Sequence, residues 1–338
     1  MKGFMMRAHN LRWWLPVLVL VLGAATWVGV RLMTSALPPL RIGINAWPGY
    51  EFLYLAQEKG FYRDAGIDVR LVEFNSLSDA RRAYERGQID GLGTTIIEVL
   101  QAREVPDRHL QIVSVVDYSD GADVVLVKPT ITNPATLRGA RVGVELGSLG
   151  VYVLVRALEK HELGLADVKL VSMDQSSMAQ AFEQGNIDAM VTYPPVSLTV
   201  LKNPNAKVLF TSSEIPGEVV DVIAVDETVA RDRHHQVAQL LHAFQRAMDF
   251  TKTNAAEAHR IMAAREGITA EEFAAALTDG IRLVESSGQA EFFRPGGTLS
   301  AVIDRADKIM RASQQISGAD QREGSYTDAF VGTGSPTP

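Results

Sequence analysis

The sequence predicts an α/β protein of two similar lobes, and three observations support this fold class. The phrase AYERGQIDG at residues 83–91 recurs as AFEQGNIDA at residues 181–189. The segments around it recur at offsets of 98 to 100 residues: RIGI (41–44) and DVRLVEF (68–74) return as RVGV (141–144) and DVKLVSM (167–173). No third copy follows, and the chain after residue 234 reads as a series of helices. Similarity that extends over several segments indicates two equivalent structural units.

Each unit is predicted to run strand, helix, strand, helix, strand. RIGIN (41–45) is short and apolar, and residues 52–56 have helical spacing before Gly60 ends the helix. Ser78 or Asp79 is predicted to cap the helix that leads into the repeated phrase. The phrase itself supplies an aromatic residue for the buried helix face, a glycine for the helix end and an isoleucine for the next strand. This order predicts a Rossmann-like lobe wound around a parallel sheet.

The chain is predicted to cross between the lobes twice. Segment 122–128 leaves the first unit, and segment 219–227 returns to it. The predicted divisions are residues 1–39 as a signal peptide or anchor, 40–124 plus 224–330 as a discontinuous lobe one, 125–223 as lobe two, and 331–338 as a flexible tail. Helices are expected at residues 234–250, 255–267, 270–284 and 299–310. Two lobes joined by two crossing strands form a hinged clamp whose ligand site lies in the cleft between them.

The first 39 residues differ from the rest of the chain. Lys2, Arg7 and Arg12 precede an uncharged apolar stretch at residues 13–30, and Arg31 follows it. This pattern predicts either a cleaved export signal or an N-terminal hydrophobic helix that anchors the protein in the inner membrane, and the length of the stretch favours the anchor. The basic residues before it place the remainder on the periplasmic side.

Composition and charge exclude several functional classes. The chain has no cysteine, which rules out disulfides, thiolate metal sites and lipid attachment to a cysteine. The first 39 residues carry four of the 33 Lys and Arg residues and none of the 40 Asp and Glu residues, so the remainder has a formal charge of −11. Such a surface repels nucleic acid. His235 and His242 have helical spacing but no further metal ligand beside them, and we predict a monomer without metal or cofactor.

Five segments carry a resemblance to a known family: RIGINAWPGYEFLYLAQEKGFY (41–62), GQIDGLGTT (87–95), SDGADVVLVKP (119–129), LRGARVGVELGS (137–148) and IPGEVVDVIAV (215–225). From Arg41 to Met310 the chain resembles the solute-binding proteins of ABC importers in the nitrate, sulfonate, taurine and bicarbonate group, which are related to the pyrimidine-precursor synthases. The resemblance implies a type II periplasmic binding protein fold. It also implies lobes that close on a small molecule and present it, without chemistry, to ABC permease and ATPase subunits. Residues 192–195 depart from the Trp-Glu-Pro-Trp type sequence of many relatives, so the ligand's identity is not transferred.

Candidate ligand-binding residues lie just beyond the predicted strand ends. They are Asn45, Trp47, Tyr50, Ser76, Thr94, Thr95 and Asp120 in lobe one, Glu145, Ser148, Asp174 and Tyr193 in lobe two, and Asp221 near the return crossing. Helices after Thr94 and Ser148 either aim free N–H groups at an oxyanion or are simply capped there. Trp47, in a Pro-Gly loop, either covers a ligand or packs the loop.

The charge of these loops gives the ligand prediction. Asp120, Glu145, Asp174 and Asp221 lie in or beside segments without Lys or Arg, and carboxylates oppose a bare anion. The sequence therefore predicts a small polar organic ligand that bears an amine or resembles taurine or another sulfonate. Each acid could instead cap a helix or pair with Arg81, Arg82 or Lys128. The predicted function is ligand delivery to a permease rather than catalysis; the alternatives are a membrane-tethered sensor subunit that reports to a kinase and a pyrimidine-precursor-type enzyme.

Overall fold

The computed structural model describes residues 37–332. The predicted N-terminal helix at residues 13–30 and residues 333–338 of the predicted tail lie outside the described residues. Between residues 37 and 332, no helix is both long enough and apolar enough to cross a membrane.

Eleven strands in this range, numbered along the chain, form two sheets. The first sheet has the order β11-β4-β10-β3-β1-β2 and the second β7-β6-β8-β5-β9. The strands of the first sheet are β1 Leu40–Ile44, β2 Val69–Glu73, β3 Gly91–Thr95, β4 Leu110–Ser119, β10 Val220–Asp226 and β11 Ile281–Leu283. Those of the second are β5 Val124–Val127, β6 Arg141–Val144, β7 Lys169–Ser172, β8 Ala189–Thr192 and β9 Lys207–Thr211. We call the parts of the chain built on these sheets lobe one and lobe two.

The α-helices of the described residues flank the sheets. Those of the repeated units are α1 Glu51–Glu58, α2 Phe61–Asp64, α3 Leu77–Glu85, α4 Ile96–Ala102, α5 Leu149–Glu159, α6 Gln175–Glu183 and α7 Val196–Leu201. Those that follow the return to lobe one are α8 Glu227–Asp232, α9 His234–Thr253, α10 Ala255–Glu266, α11 Ala270–Ala275, α12 Ser286–Phe293 and α13 Thr298–Ala312. Helices cover both faces of the second sheet, and Ala189 and Met190, successive residues of its central strand β8, belong to separate apolar cores.

The sheets are mixed, which corrects the predicted parallel arrangement. In lobe one β1 is parallel to β2 and β3, but β10 is antiparallel to β3 and β4, and β11 to β4. In lobe two β6 is parallel to β7 and β8, but β5 is antiparallel to β8 and β9. The antiparallel strands β5 and β10 are those that follow the crossings. A strand buried on both faces is a continuous apolar run in either direction, so the sequence did not distinguish the two.

The repeated phrase closes an equivalent ion pair in each lobe. Arg41, at the start of its unit, donates its backbone N–H to Asp90 at 2.9 Å, and its guanidinium contacts the same carboxylate at 2.6 Å. Arg141 binds Asp188 in the same way, at 2.9 Å and 2.7 Å. The phrase thus connects the end of a helix to the first strand of its own unit.

The repeated phrase also determines how closely the first strand of each unit packs against it. Ile89 is fully buried, and a Cβ added to Gly43 would lie 2.7 Å from its Cδ1. Ile187 is buried beneath Gly143 at the equivalent place, where the distance would be 2.6 Å. The glycines that end the two helices, Gly87 and Gly185, have φ values of 72° and 74°, a conformation in which other residues are strained. The repeat is therefore explained by packing.

The two crossings lie side by side and are hydrogen-bonded to each other. Residues 120–123 connect β4 to β5, and residues 212–219 connect β9 to β10. The Ser119 and Ser212 hydroxyls are 2.7 Å apart, and the Ser212 N–H donates to the Asp123 carbonyl at 2.8 Å. The predicted boundary at 223/224 would divide β10, which pairs in the first sheet along its whole length, and Val124 already belongs to the second sheet.

The end of the chain differs from its helical prediction at residues 270–284. The helix predicted at residues 270–284 stops as a turn of π-helix at Ala276–Gly280, and β11 follows and pairs with β4. Single β-branched residues such as Ile281 and Val284 fit both helix and strand patterns, which explains why a helix was predicted as far as residue 284.

The residues that precede the predicted tail pack on lobe one. Phe330 is buried and stacks on His234, and Arg103 donates to the carbonyls of Gln321 and Glu323.

Candidate functional site

A small cavity lies between the two sheets and is lined by both lobes. Its free space is only about that of one water molecule, so a ligand there must be small and the walls must move apart to admit it. Six of the twelve predicted residues line it: Asn45, Trp47, Tyr50, Thr95, Tyr193 and Asp221. Leu77, Leu149 and Asp123 complete the lining.

Aromatic rings from the two lobes meet at this cavity. Trp47 follows β1 in lobe one and packs edge to face against Tyr193, which follows β8 in lobe two, with ring centroids 5.9 Å apart. Asn45 reaches the Tyr193 hydroxyl at 3.4 Å. Trp47 is 4% exposed, and its indole N–H donates to Asp117 at 3.1 Å. Trp47 therefore packs its loop and lines the cavity, and its contact with a ligand stays a prediction.

Three carboxyl groups are buried at or just behind the cavity wall. Asp221 on β10 lies opposite Asp117 on β4, and Asp123 lies in the first crossing. The Tyr50 hydroxyl donates to Asp221. One oxygen of each carboxyl, and the Asn45 side-chain oxygen, has no hydrogen-bond partner. Buried acceptors without donors are costly, so this wall favours a group that brings donors.

Burial and mutual repulsion alter the titration of these acids. Burial raises the pKa of Asp117 to about 7, and the nearby Asp123 charge acts in the same direction. Burial likewise raises the pKa of Asp123 to about 7, with a contribution from Glu98. Burial and the charge of Asp117 raise the pKa of Asp221 well above its usual range. Proton loss from Asp221 is therefore opposed both by its burial and by the neighbouring Asp117.

The helix N-termini that face the cleft already bind carboxylates. Glu98 of lobe one accepts the Leu149 N–H at the start of α5 in lobe two at 2.7 Å. Glu145 of lobe two accepts the Ser78 N–H at the start of α3 in lobe one at 3.0 Å. Each lobe thus caps a helix of the other. Glu98 already binds the Leu149 N–H, which was predicted as a donor to an oxyanion. Thr95 and Ser148 cap their helices, as the alternative prediction stated.

Glu98 also organises the loop that precedes its own helix. Its second oxygen accepts the Thr95 N–H at 3.2 Å and the Thr95 hydroxyl at 2.5 Å, while the Thr94 hydroxyl lies 3.3 Å away. Thr95 in turn accepts from the Ile97 N–H. Burial raises the pKa of Glu98, opposed by these hydrogen bonds. One buried carboxyl therefore connects α4 to the opposite lobe.

The other six predicted residues do not line this cavity. Ser76, Glu145 and Asp174 border a second depression, together with Arg82 and Met173. Ser76, rather than Ser78 or Asp79, caps α3, and Asp174 caps α6 by accepting the Ser177 N–H at 2.8 Å. Thr94 and Ser148 serve Glu98 and the start of α5, as described above. Asp120 forms an ion pair with Arg282 at 2.7 Å.

Sequence reasoning missed Asp117, Asp123 and Glu98, although each had a signal. Glu98 is the only charged residue between Gly91 and Ala102, and Thr95-x-x-Glu98 is a capping-box pattern. Asp117 ends the apolar run 109–116, and Asp123 opens the run that begins at Val124. A carboxylate at the end of a buried strand is a candidate site residue in this class of fold. Within residues 37–332, no group of three or more His, Cys, Asp or Glu residues is placed to hold a metal ion.

Comparisons with known proteins agree with this architecture. The family model described as NMT1/THI5 like matches residues 47–258. A putative binding protein of Brucella abortus (strain 2308) is 27% identical over 290 residues, which cover 80% of this chain and 89% of the relative. The taurine-binding periplasmic protein of Escherichia coli (strain K12) is 27% identical over 185 residues, 53% of this chain and 56% of that protein. The alkanesulfonate-binding protein of Xanthomonas axonopodis pv. citri, solved with MOPS, has a TM-score of 0.71 at 18% identity and covers 87% of this chain and 99% of its own, which shows the shared fold.

Proposed function

Because the chain belongs to the NMT1/THI5-like family, we propose that it is the extracytoplasmic solute-binding component of an ABC importer. The proposal rests on the cavity, whose wall is divided between two lobes that the chain connects through two adjacent crossings. A ligand held there touches both lobes at once, so its binding favours the closed arrangement over an open one.

Contacts across the cleft stabilise the closed arrangement of the two lobes. The contacts that link the lobes include the Glu98 bond to Leu149, the Glu145 bond to Ser78, the Asn45 contact with Tyr193, the Trp47 packing on Tyr193 and the Lys202–Glu272 ion pair. The paired crossings at residues 120–123 and 212–219 are the natural hinge, because they hold the lobes together without belonging to either sheet. Opening the hinge breaks these contacts and exposes the cavity.

The proposed cargo is a small polar organic molecule, bearing an amine or resembling taurine or another sulfonate. The closed lobes would present it to ABC permease and ATPase subunits on the periplasmic side of the inner membrane, without chemistry on the ligand. Binding proteins for taurine and alkanesulfonates among the similar proteins support the transport role. The net charge of −7 supports the prediction that nucleic acid is not a partner.

A ligand screen with a shape readout tests this function. The full chain in mild detergent is expected to melt at a higher temperature with at least one compound from a panel of small amines, sulfonates, nitrate and pyrimidines, since a ligand that binds only the folded state stabilises it. The same compound should reduce the radius of gyration measured by X-ray scattering. A panel without any stabilising compound, or a ligand that is chemically converted, would contradict the proposal.

A further inference from the structure

We propose that the cavity selects a small organic ammonium ion through Asp123 and Asp221 and that it excludes sulfonates that lack an amine. This assignment deepens the proposed solute-binding function and rests on it. It separates this chain from relatives whose names specify sulfonates, and it follows from which polar atoms of the cleft are satisfied and which are not.

The unsatisfied atoms of the cavity are acceptors. Asp123 and Asp221 line the cavity, are 2% and 3% exposed, and each keeps one oxygen without a donor. Asn45, 2% exposed, has an unpartnered side-chain oxygen in the same lining. A primary ammonium group carries three N–H donors and no acceptor, so it matches this set. The nine lining residues include no Lys, Arg or His that could supply those donors from the protein.

Protein carboxylates occupy the places where an anion would find N–H donors. The backbone N–H groups of Leu149 and Ser78, at the starts of α5 and α3, are bound by Glu98 and Glu145. A sulfonate would have to displace them and would then lie among several buried acids. Like charges held close together in a buried site repel strongly.

The rest of the lining suits a compact cation. Trp47, Tyr50 and Tyr193 contribute aromatic rings to this small cavity. Aromatic faces attract a desolvated cation, and ammonium binding would also relieve the repulsion between the acids. Asp117 does not line the cavity; it lies behind Asp221 and holds Trp47, so we regard it as a positioning residue.

Three matched probes decide between the two ligand chemistries. Taurine carries an amine and a sulfonate, ethanolamine keeps only the amine, and isethionate keeps only the sulfonate. Thermal shift and calorimetry on the full chain in mild detergent at pH 8, with a set of further small primary amines, are expected to show saturable binding of ethanolamine or another primary amine and none of isethionate. Asp123→Asn is expected to weaken amine binding by at least about tenfold, the usual scale for a hydrogen bond to a charged group. Asp120→Asn, a change of the same kind three residues away in an ion pair with Arg282, is the control and should bind normally.

Any of three other results would overturn the assignment of an ammonium site to this cavity. Binding of isethionate without any amine would show a sulfonate site and leave the proposed solute-binding function intact. Amine binding that Asp123→Asn does not weaken would place the amine elsewhere. If no amine bound, the assignment would also be overturned. If, in addition, none of the sulfonates, nitrate or pyrimidines of the wider panel bound, the proposed solute-binding function would be overturned as well. The melting temperature of Asp123→Asn itself shows whether the variant is folded.

Discussion

The melting temperature of the unliganded protein is expected to fall by about 10 °C between pH 5 and pH 8.5. The cause is the group of buried carboxyls whose pKa is raised. Burial raises the pKa of Asp117 and of Asp123 to about 7 and that of Glu266 to about 8. It also raises the pKa of Asp221, Glu98 and Glu145. Each pKa unit is worth about 1.4 kcal/mol, so these groups together change the free energy of unfolding by several kcal/mol.

The sign of the change follows from where the protons are held. The unfolded chain loses its carboxyl protons at about pH 4, whereas the folded protein keeps these until the pH reaches the raised pKa values. Stability is therefore full below the unfolded pKa and is lost as the pH rises toward 8. Hydrogen bonds and ion pairs lower the pKa of Asp174 and Asp188, but their contribution changes only below about pH 4.

Variants test how much of this decrease in melting temperature with pH arises from the acids of the cavity. Asp123→Asn removes one titrating group and should raise the melting temperature at pH 8.5 while changing it little at pH 5. Asp120→Asn should leave the profile as in the wild type. Scanning calorimetry from pH 5 to pH 8.5 measures both. A melting temperature that is level or rises over this range would show that the cavity acids are not held protonated by burial.

Replacing Glu98 by Gln is expected to shift the protein toward its open form and to weaken ligand binding by about tenfold to a hundredfold. The carboxylate uses one oxygen for Thr95 and the other for Leu149 of the opposite lobe. Glutamine has one acceptor oxygen, so if that oxygen keeps the Thr95 bonds, its NH₂ group faces the Leu149 N–H. A buried N–H without an acceptor costs about 1–3 kcal/mol, and the cost arises only in the closed form. Ligand affinity falls by the same factor as the closed population.

Scattering and calorimetry measure the two parts of this prediction. The radius of gyration of the unliganded Glu98→Gln variant should exceed that of the wild type, and its affinity for the ligand found in the screen should be lower. Glu104→Gln is the matched control, because Glu104 also accepts two backbone N–H groups, those of Ser317 and Gly318, but within lobe one. Equal radii and affinities for Glu98→Gln and the wild type would mean that this bond does not hold the lobes closed.

The repeated architecture could be predicted from the sequence because equivalent residues of the two units pack in the same way. Gly43 over Ile89 and Gly143 over Ile187 are local consequences of composition and spacing. The antiparallel strands β5 and β10 were not predictable in this way. Their direction depends on which lobe the chain has just left, and a fully buried strand has no pattern that records direction.

The site was predicted only in part, for a related reason. Residues beyond strand ends could be named, but their side chains face different neighbours: Asp120 meets Arg282, whereas Asp123 meets the cavity. The occupation of the α5 N-terminus by Glu98 joins residues 51 positions apart in different lobes. Sequence spacing within one helix identifies its cap but gives no information about a carboxylate that arrives from the other lobe.

Emission from Trp47 tests the central claim, a solute site in the cleft between two closing lobes, most directly. Trp47 is the only tryptophan after residue 27, and its ring packs on Tyr193 of the opposite lobe. In the full chain with Trp13→Phe, Trp14→Phe and Trp27→Phe, titration with an amine that calorimetry shows to bind should produce a saturable change in emission at the calorimetric affinity. That change should weaken with Asp123→Asn and persist with Asp120→Asn. Calorimetric binding with unchanged Trp47 emission would place the ligand outside the cleft and contradict the account.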